Sequence, residues 1–257
     1  MPAALPLEEL PAHIPDGALI AIGGAGLQRK PMSALRALVA AGRRDLRVIS
    51  FLGSLDVELL LAAGAVSELH SAGVSLEGAG LAPHYRAARE RGSVRFVEWS
   101  EGTLLCALEA AARGVPSLPT WQALETDMPL LNPWLREGRD PFTDEPVMNV
   151  RALRPDVAIL HVAAIDDAGY AYVDGDLAYD GALSRAAGQV IVCHDERRSS
   201  EPRSAALSRV WVDATVHAPR GAWPTGCHPT ARVDAVAVAA WAAAGLDATP
   251  AILEPSA

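Results

Sequence analysis

Cysteine, aromatic residues and clustered positive charge are the scarce features of this 257-residue chain. Its three cysteines, Cys106, Cys193 and Cys227, lie far apart and share no metal-ligand spacing. An odd, sparse count argues against a disulfide framework and suits a reducing, cytoplasmic setting. Aromatic residues make up only 5% of the chain, whereas Ala, Gly and Leu are plentiful, so helices are expected to pack closely. No stripe of Lys or Arg interrupts a formal charge of −9. A net negative field repels nucleic acid and anionic membrane, which sets both aside as partners. Long apolar runs are missing too, since "VDAVAVAAWAAAGL" is shorter than a membrane span and mostly alanine. The opening "MPAALPLEELPAHIPDG" has acids and prolines where a secretory leader has basic and then apolar residues, so no signal peptide is expected.

Half of the residues are hydrophobic, enough for a sizeable core in one α/β domain spanning 1–257. Strand and helix patterns alternate. Strands are expected at 18–24, 46–53 and 93–99, and helices at 31–42, 54–64, 83–92 and 100–114. After a gap the rhythm resumes with strands at 156–165 and 189–195, a helix at 177–188, strand character at 209–219 and a last helix at 233–245. Short connections between alternating elements imply right-handed crossovers, hence an open, mainly parallel sheet with helices on both faces. Between them, Pro116, Pro119, Pro129, Pro133, Pro141 and Pro146 forbid a long helix, and about 115–150 reads as an irregular excursion. Trp121, Trp134 and Phe142 within it are candidate pocket walls, or ordinary packing under a long loop.

The stretch "AIGGAGLQRKPM" at 21–32 is a glycine loop after a strand. It lacks the dinucleotide fingerprint, because Arg29 occupies the third glycine position and the next strand ends in "SFLGS" without an acid. It lacks the Gly-Lys-Ser/Thr of a phosphate loop as well. Two readings remain. Gly23, Gly24 and Gly26 make a tight turn with Arg29 and Lys30 solvated, or their amides hold an oxyanion beside those two charges. A second candidate is Glu101, just inside a helix whose N-cap is Ser100. It either complements the helix dipole or faces a cleft as base or nucleophile. His161 reads as a hydrogen-bonded core residue, and His194 and His228 have no spaced partner, so no metal site is expected. No G-x-S-x-G elbow is present, which argues against a serine hydrolase of the α/β type.

Four segments in order resemble the α subunit of a class I (family I) CoA-transferase of the glutaconate type: 16–50, "EGTLLCALEAAARGVPSLP" at 101–119, "RPDVAILHVAAIDDAGYAYVDG" at 154–175 and "VDATVHAPRGAWPTGCHPT" at 212–230. The resemblance implies a homologous β subunit, with the active site between the two chains. It implies transfer of CoA from an acyl-CoA to a carboxylic acid, through an anhydride and a glutamyl-CoA thioester. The nucleophilic Glu would be the partner's, and no matching motif occurs here. A CoA thioester would be substrate, with no permanent cofactor. Gly23, Gly24 and Ala25 would border the thioester, with Arg29 and Lys30 nearby. Two departures stand out: Ala25 replaces a frequent aromatic residue, and Glu101-Gly102-Thr103-Leu104 stands where many transferases have Gln-Gly-Thr-Leu. That Glu and "RKPM" resemble the α subunit of steroid ring-cleaving hydrolases, in which Glu101 would be the base that activates water on a cyclic β-diketone CoA thioester. A binding homologue without catalysis is the third alternative.

Overall fold

A computed structural model describes residues 1–199 and 206–253. Its first half runs β1 (Ala3–Ala4), β2 (Leu19–Ile22), α1 (Met32–Ala40), β3 (Leu46–Ser50), α2 (Leu55–Ala62), β4 (Val66–Ser71), α3 (Pro83–Arg91), β5 (Arg95–Glu98) and α4 (Glu101–Ala112). Next come β6 (Ser117–Thr120), α5 (Met128–Leu131), β7 (Leu135–Arg139) and β8 (Pro146–Arg151). The rest is β9 (Val157–Asp166), β10 (Ala171–Tyr172), α6 (Asp180–Ala186), β11 (Gln189–Arg198), β12 (Ala214–His217) and α7 (Ala235–Ala244).

The main sheet has the order β1-β12-β11-β9-β2-β3-β4-β5. Neighbours along it are parallel, and only β10 turns back antiparallel on β9. From β2 the chain proceeds outward through β3, and from β9 it proceeds the other way through β11. The β2–β9 boundary is therefore the topological switch point, where open parallel sheets leave a crevice at their carboxyl ends.

All ten residues of β9 are buried, as expected of a strand covered on both faces. Alternation divides them. Val157 and Ile159 join a core with Ile20, Leu35, Leu59 and Trp241 under α1, α2 and α7. Ala158, Leu160 and Val162 join a second core with Leu104, Leu108 and Leu183 under α4 and α6. Helices thus cover both faces, as the sequence implies. No helix among the described residues is long and apolar enough to cross a membrane.

Three expectations are corrected. Residues 115–150 are irregular only in part, because they also carry an antiparallel sheet, β6-β8-β7, whose Met148 and Val150 join the second core. Prolines exclude helix yet are tolerated on edge strands and at strand starts, where Pro119 and Pro146 lie. Strand β4 is absent from the expected elements, because Glu68 and His70 break its apolar pattern; His70 is nonetheless fully buried, bonded to Glu68 and to the Trp99 indole. The expected strand at 209–219 narrows to 214–217, behind a 3-10 turn at Arg209–Trp211.

One buried acid ties three helices together. Glu58 in α2 accepts from the His84 and Tyr85 amides at the start of α3, at 3.1 and 2.7 Å, and from the Trp241 indole of α7 at 2.9 Å. Glu58→Ala would strand the buried Trp241 indole and two half-buried amides and is expected to cost about 3 kcal/mol in urea denaturation, with Glu58→Gln costing less.

Candidate active site

The glycine loop leaves β2 at the switch point, and its glycines answer to crowding. A methyl on Gly23 would lie 2.7 Å from the Leu160 side chain and 2.9 Å from the Asp180 carboxylate. Gly24 has φ of +71°, and a methyl there would meet the Gln28 carbonyl and sit 2.8 Å from that of Arg29. Every amide from Gly23 to Lys30 already has an acceptor. Gly23 donates to Ile159, Ala25 to Gln28, Gly26 to Leu52, Gln28 to Ala25 and Arg29 to Gly226. Gly24 donates to Asp180 Oδ1 at 2.8 Å, Leu27 to Glu77 and Lys30 to Thr225. The expectation that these amides stand ready for an oxyanion is corrected: the surrounding fold uses them all.

The two neighbouring cations are corrected as well. Neither is solvated: both are buried and paired with carboxylates. Arg29 is 4% exposed; its guanidinium pairs with Asp180 and donates to the Asp176 carbonyl at 2.8 Å. Lys30 is fully buried, with Nζ 3.2 Å from both Asp56 Oδ2 and Ser50 Oγ.

Glu101 lies where the sequence places it. Ser100 caps α4 in a reciprocal capping box with Thr103, which leaves Glu101 as the first helical residue, exposed beyond the end of β5. Its Oε2 accepts a hydrogen bond of 2.9 Å from the Tyr179 hydroxyl. The Tyr179 ring is stacked on Phe51, the residue after β3, with an interplanar angle of 16°. Burial, then the hydrogen bond and charge of Glu101, push the Tyr179 phenol up to about 12, so it remains a donor. The turn carrying Tyr179 is the one fixed by Arg29 and by the Gly24–Asp180 bond. Glycine loop, Phe51, Tyr179 and Glu101 therefore form one connected assembly at the carboxyl ends of β2, β3 and β5. Tyr179 is not among the residues the sequence singles out; an aromatic residue beside an acid at a helix start is its only signal.

A second polar cluster lies across β9 and β11. The ligand atoms of His161, Asp195 and Cys227 fall within 4.8 Å of one another, all three residues being buried. Asp195 already accepts from His161 Nε2 at 3.1 Å, from the Gly221 amide at 3.3 Å and from the Thr230 hydroxyl. Burial and the Asp195 charge push the Cys227 thiol up to about 12, which keeps it protonated. The group is a hydrogen-bond network in the core centred on Asp195, in which His161 Nδ1 is buried without a partner. His228 is exposed, 3.2 Å from Asp174. Trp134 packs on Trp99 and under Arg151, whereas Trp121 and Phe142 are exposed.

Residues 6–219 match the family described as Coenzyme A transferase. A cholesterol ring-cleaving hydrolase IpdA subunit of Rhodococcus jostii (strain RHA1) is 33% identical over 84% of this chain and 78% of its own length. One of the subunits of glutaconate CoA-transferase from Acidaminococcus fermentans is 26% identical over 84% of this chain and 74% of its own. The chain spans half the length of an uncharacterized Archaeoglobus fulgidus protein that is 33% identical. The fold superposes on a variant of the decarboxylase AibA/AibB with a TM-score of 0.91, at 35% identity over 98% of each chain. The crystal structure of the A. fermentans glutaconate enzyme superposes with a TM-score of 0.89 over 95% of this chain and 84% of the other, at 23% identity, a likeness of fold.

Gly24→Ala is expected to cost about 2–3 kcal/mol of stability, read from the denaturation midpoint, through strained backbone and a clash with neighbouring carbonyls. A pH effect is expected next door, where burial pushes His194 down from 6.5 to about 4. The unfolded chain takes up a proton near 6.5 that the folded one refuses until about 4, so stability should drop as pH is lowered through that window. Denaturation at pH 7 and pH 5 should show this slope, and His194→Gln should flatten it.

Proposed function

The chain belongs to the Coenzyme A transferase family, and from that premise we propose that it is the α subunit of a heteromeric enzyme acting on CoA thioesters, moving CoA between an acyl-CoA and a carboxylic acid. The supporting observation is the position of the assembly at the switch-point crevice, with Glu101 exposed beside it. The covalent nucleophile belongs to the β subunit in this reading. Of the loop, Ala25 and Gly26 are half-buried and face the thioester, with Gly23 and Gly24 beneath them. Arg29 and Lys30 support that wall from inside rather than meeting the substrate.

A second reading, hydrolysis, is favoured by one observation: the carboxylate held by Tyr179. Moving CoA between two carboxylates exchanges thiolate for carboxylate oxygen and requires no net proton transfer. A positioned base has no task there. In hydrolysis it has one. Glu101 would take a proton from water as the hydroxide adds to a ring carbonyl of a cyclic β-diketone carried on CoA. The carbon–carbon bond then breaks, giving a carboxylate and a carbanion that is reprotonated.

Glu101→Gln in the complex with the β subunit separates the readings. Hydrolytic turnover of a cyclic β-diketone CoA thioester should fall about 100-fold or more. CoA transfer to a carboxylic acid should stay within about threefold, and borohydride should trap a glutamyl-CoA thioester on the β subunit. Unchanged hydrolysis removes Glu101 as base. A complex that neither binds nor converts any acyl-CoA removes both readings.

A further inference from the structure

We propose that Tyr179 is a positioning residue for Glu101: its hydroxyl aims the carboxylate over the crevice. The proposal rests on Glu101 acting as base, and the experiment below distinguishes the failure of either.

Glu101 is exposed on the first turn of α4, where a free Glu side chain explores several rotamers. Among the described residues the Tyr179 hydroxyl is its one hydrogen-bond donor, and Glu101 makes no ion pair there. Tyr179, by contrast, is held through both its ring and its backbone turn. Its ring is stacked on Phe51. The next residue, Asp180, is fully buried, pairs with Arg29 and accepts the Gly24 amide at 2.8 Å. Three residues before it, the Asp176 carbonyl accepts from Arg29 Nη2 at 2.8 Å. The turn leading into α6 is therefore held against the glycine loop at both ends, with Tyr179 between. A rigid donor thus restrains an acceptor that nothing else restrains.

The chemistry suits that arrangement. The phenol stays protonated at any working pH, so it donates to the carboxylate without competing for the proton that Glu101 would take from water. One carboxylate oxygen is occupied by Tyr179 and the other remains open to a substrate water. Arg29, buried against Asp180, acquires a role at one remove: it fixes the turn that fixes the tyrosine.

A double-mutant cycle in the complex with the β subunit tests this, with kcat, KM and thermal midpoint read for each variant on a cyclic β-diketone CoA thioester. Tyr179→Phe keeps the ring on Phe51 and removes only the hydroxyl. Glu101→Asp keeps a carboxylate but withdraws it from reach. Tyr179→Phe should lower kcat about tenfold or more, with KM and midpoint nearly unchanged. In the Glu101→Asp background the same change should have no further effect, because the bond is already broken. Equal losses in both backgrounds, a lowered midpoint that accounts for the lost rate, or full activity of Tyr179→Phe would each overturn the positioning role and leave Glu101 as base. Full activity of Glu101→Gln would overturn the base and the positioning role together.

Discussion

Asp180 carries a buried negative charge at the first turn of α6, with only 1% of its side chain exposed. A carboxylate so far from water is costly unless it is compensated. Here the compensation comes from the Arg29 guanidinium, the Gly24 amide and the start of a helix. All three constrain geometry as well as charge. Arg29 must leave the loop in a left-handed conformation, at φ of 53°, and Gly24 must have no side chain. The shape of the loop after β2 follows from the demand of one buried acid on the neighbouring strand's helix.

Lys30 does the same on the other side. Its ammonium crosses to Ser50 at the end of β3 and to Asp56 in α2, where Ser50 donates to Asp56 at 2.6 Å and the Ser54 amide does so at 2.7 Å. Two adjacent cations thus diverge, one toward the β9 flank of the switch point and one toward the β3 flank. Buried ion pairs add less net stability than apolar packing of the same volume, but they tolerate few alternative geometries. In a crevice between strands that lead in opposite directions, the two pairs hold both walls at a fixed separation. The loop is a clamp, and its charge is internal.

The alternation of Val, Ile and Leu runs with amphipathic segments makes the parallel sheet legible, because each buried strand is apolar on both faces. Polar residues with buried partners are not legible. His70 looks like a break in a strand until Glu68 and Trp99 are seen to satisfy it. Prolines at 115–150 correctly exclude helix, yet their tolerance at strand edges depends on which edge is unpaired. At the site, Glu101 is visible as an acid at a helix start, whereas its partner Tyr179 is 78 residues away. Arg29 and Asp180 are 151 residues apart. The sequence pattern puts the helix start at Leu177 rather than Asp180, which places the pairing acid inside a helix and conceals its position in the first turn. Glycine loops are also ambiguous in kind: the same residues serve free amides or close packing, and only the neighbours decide which.

Internal neutralisation of Arg29 and Lys30 has a chemical consequence. The carboxyl ends of the strands present an exposed carboxylate, Glu101, with no cation paired to it among the described residues. Transfer of CoA to a carboxylic acid would bring a second anion close to Glu101. Two like charges about 4–6 Å apart repel by about 1 kcal/mol in water and more in a partly closed cleft. The β subunit would therefore have to supply the cation. A neutral ring carbonyl and a water molecule require none, and they suit a carboxylate whose one hydrogen-bonded oxygen faces an uncharged phenol. In the hydrolytic reading the same glutamate would lower the barrier for a proton-transfer step while raising it for an anionic acceptor, so a single side chain would divide the two chemistries open to this fold.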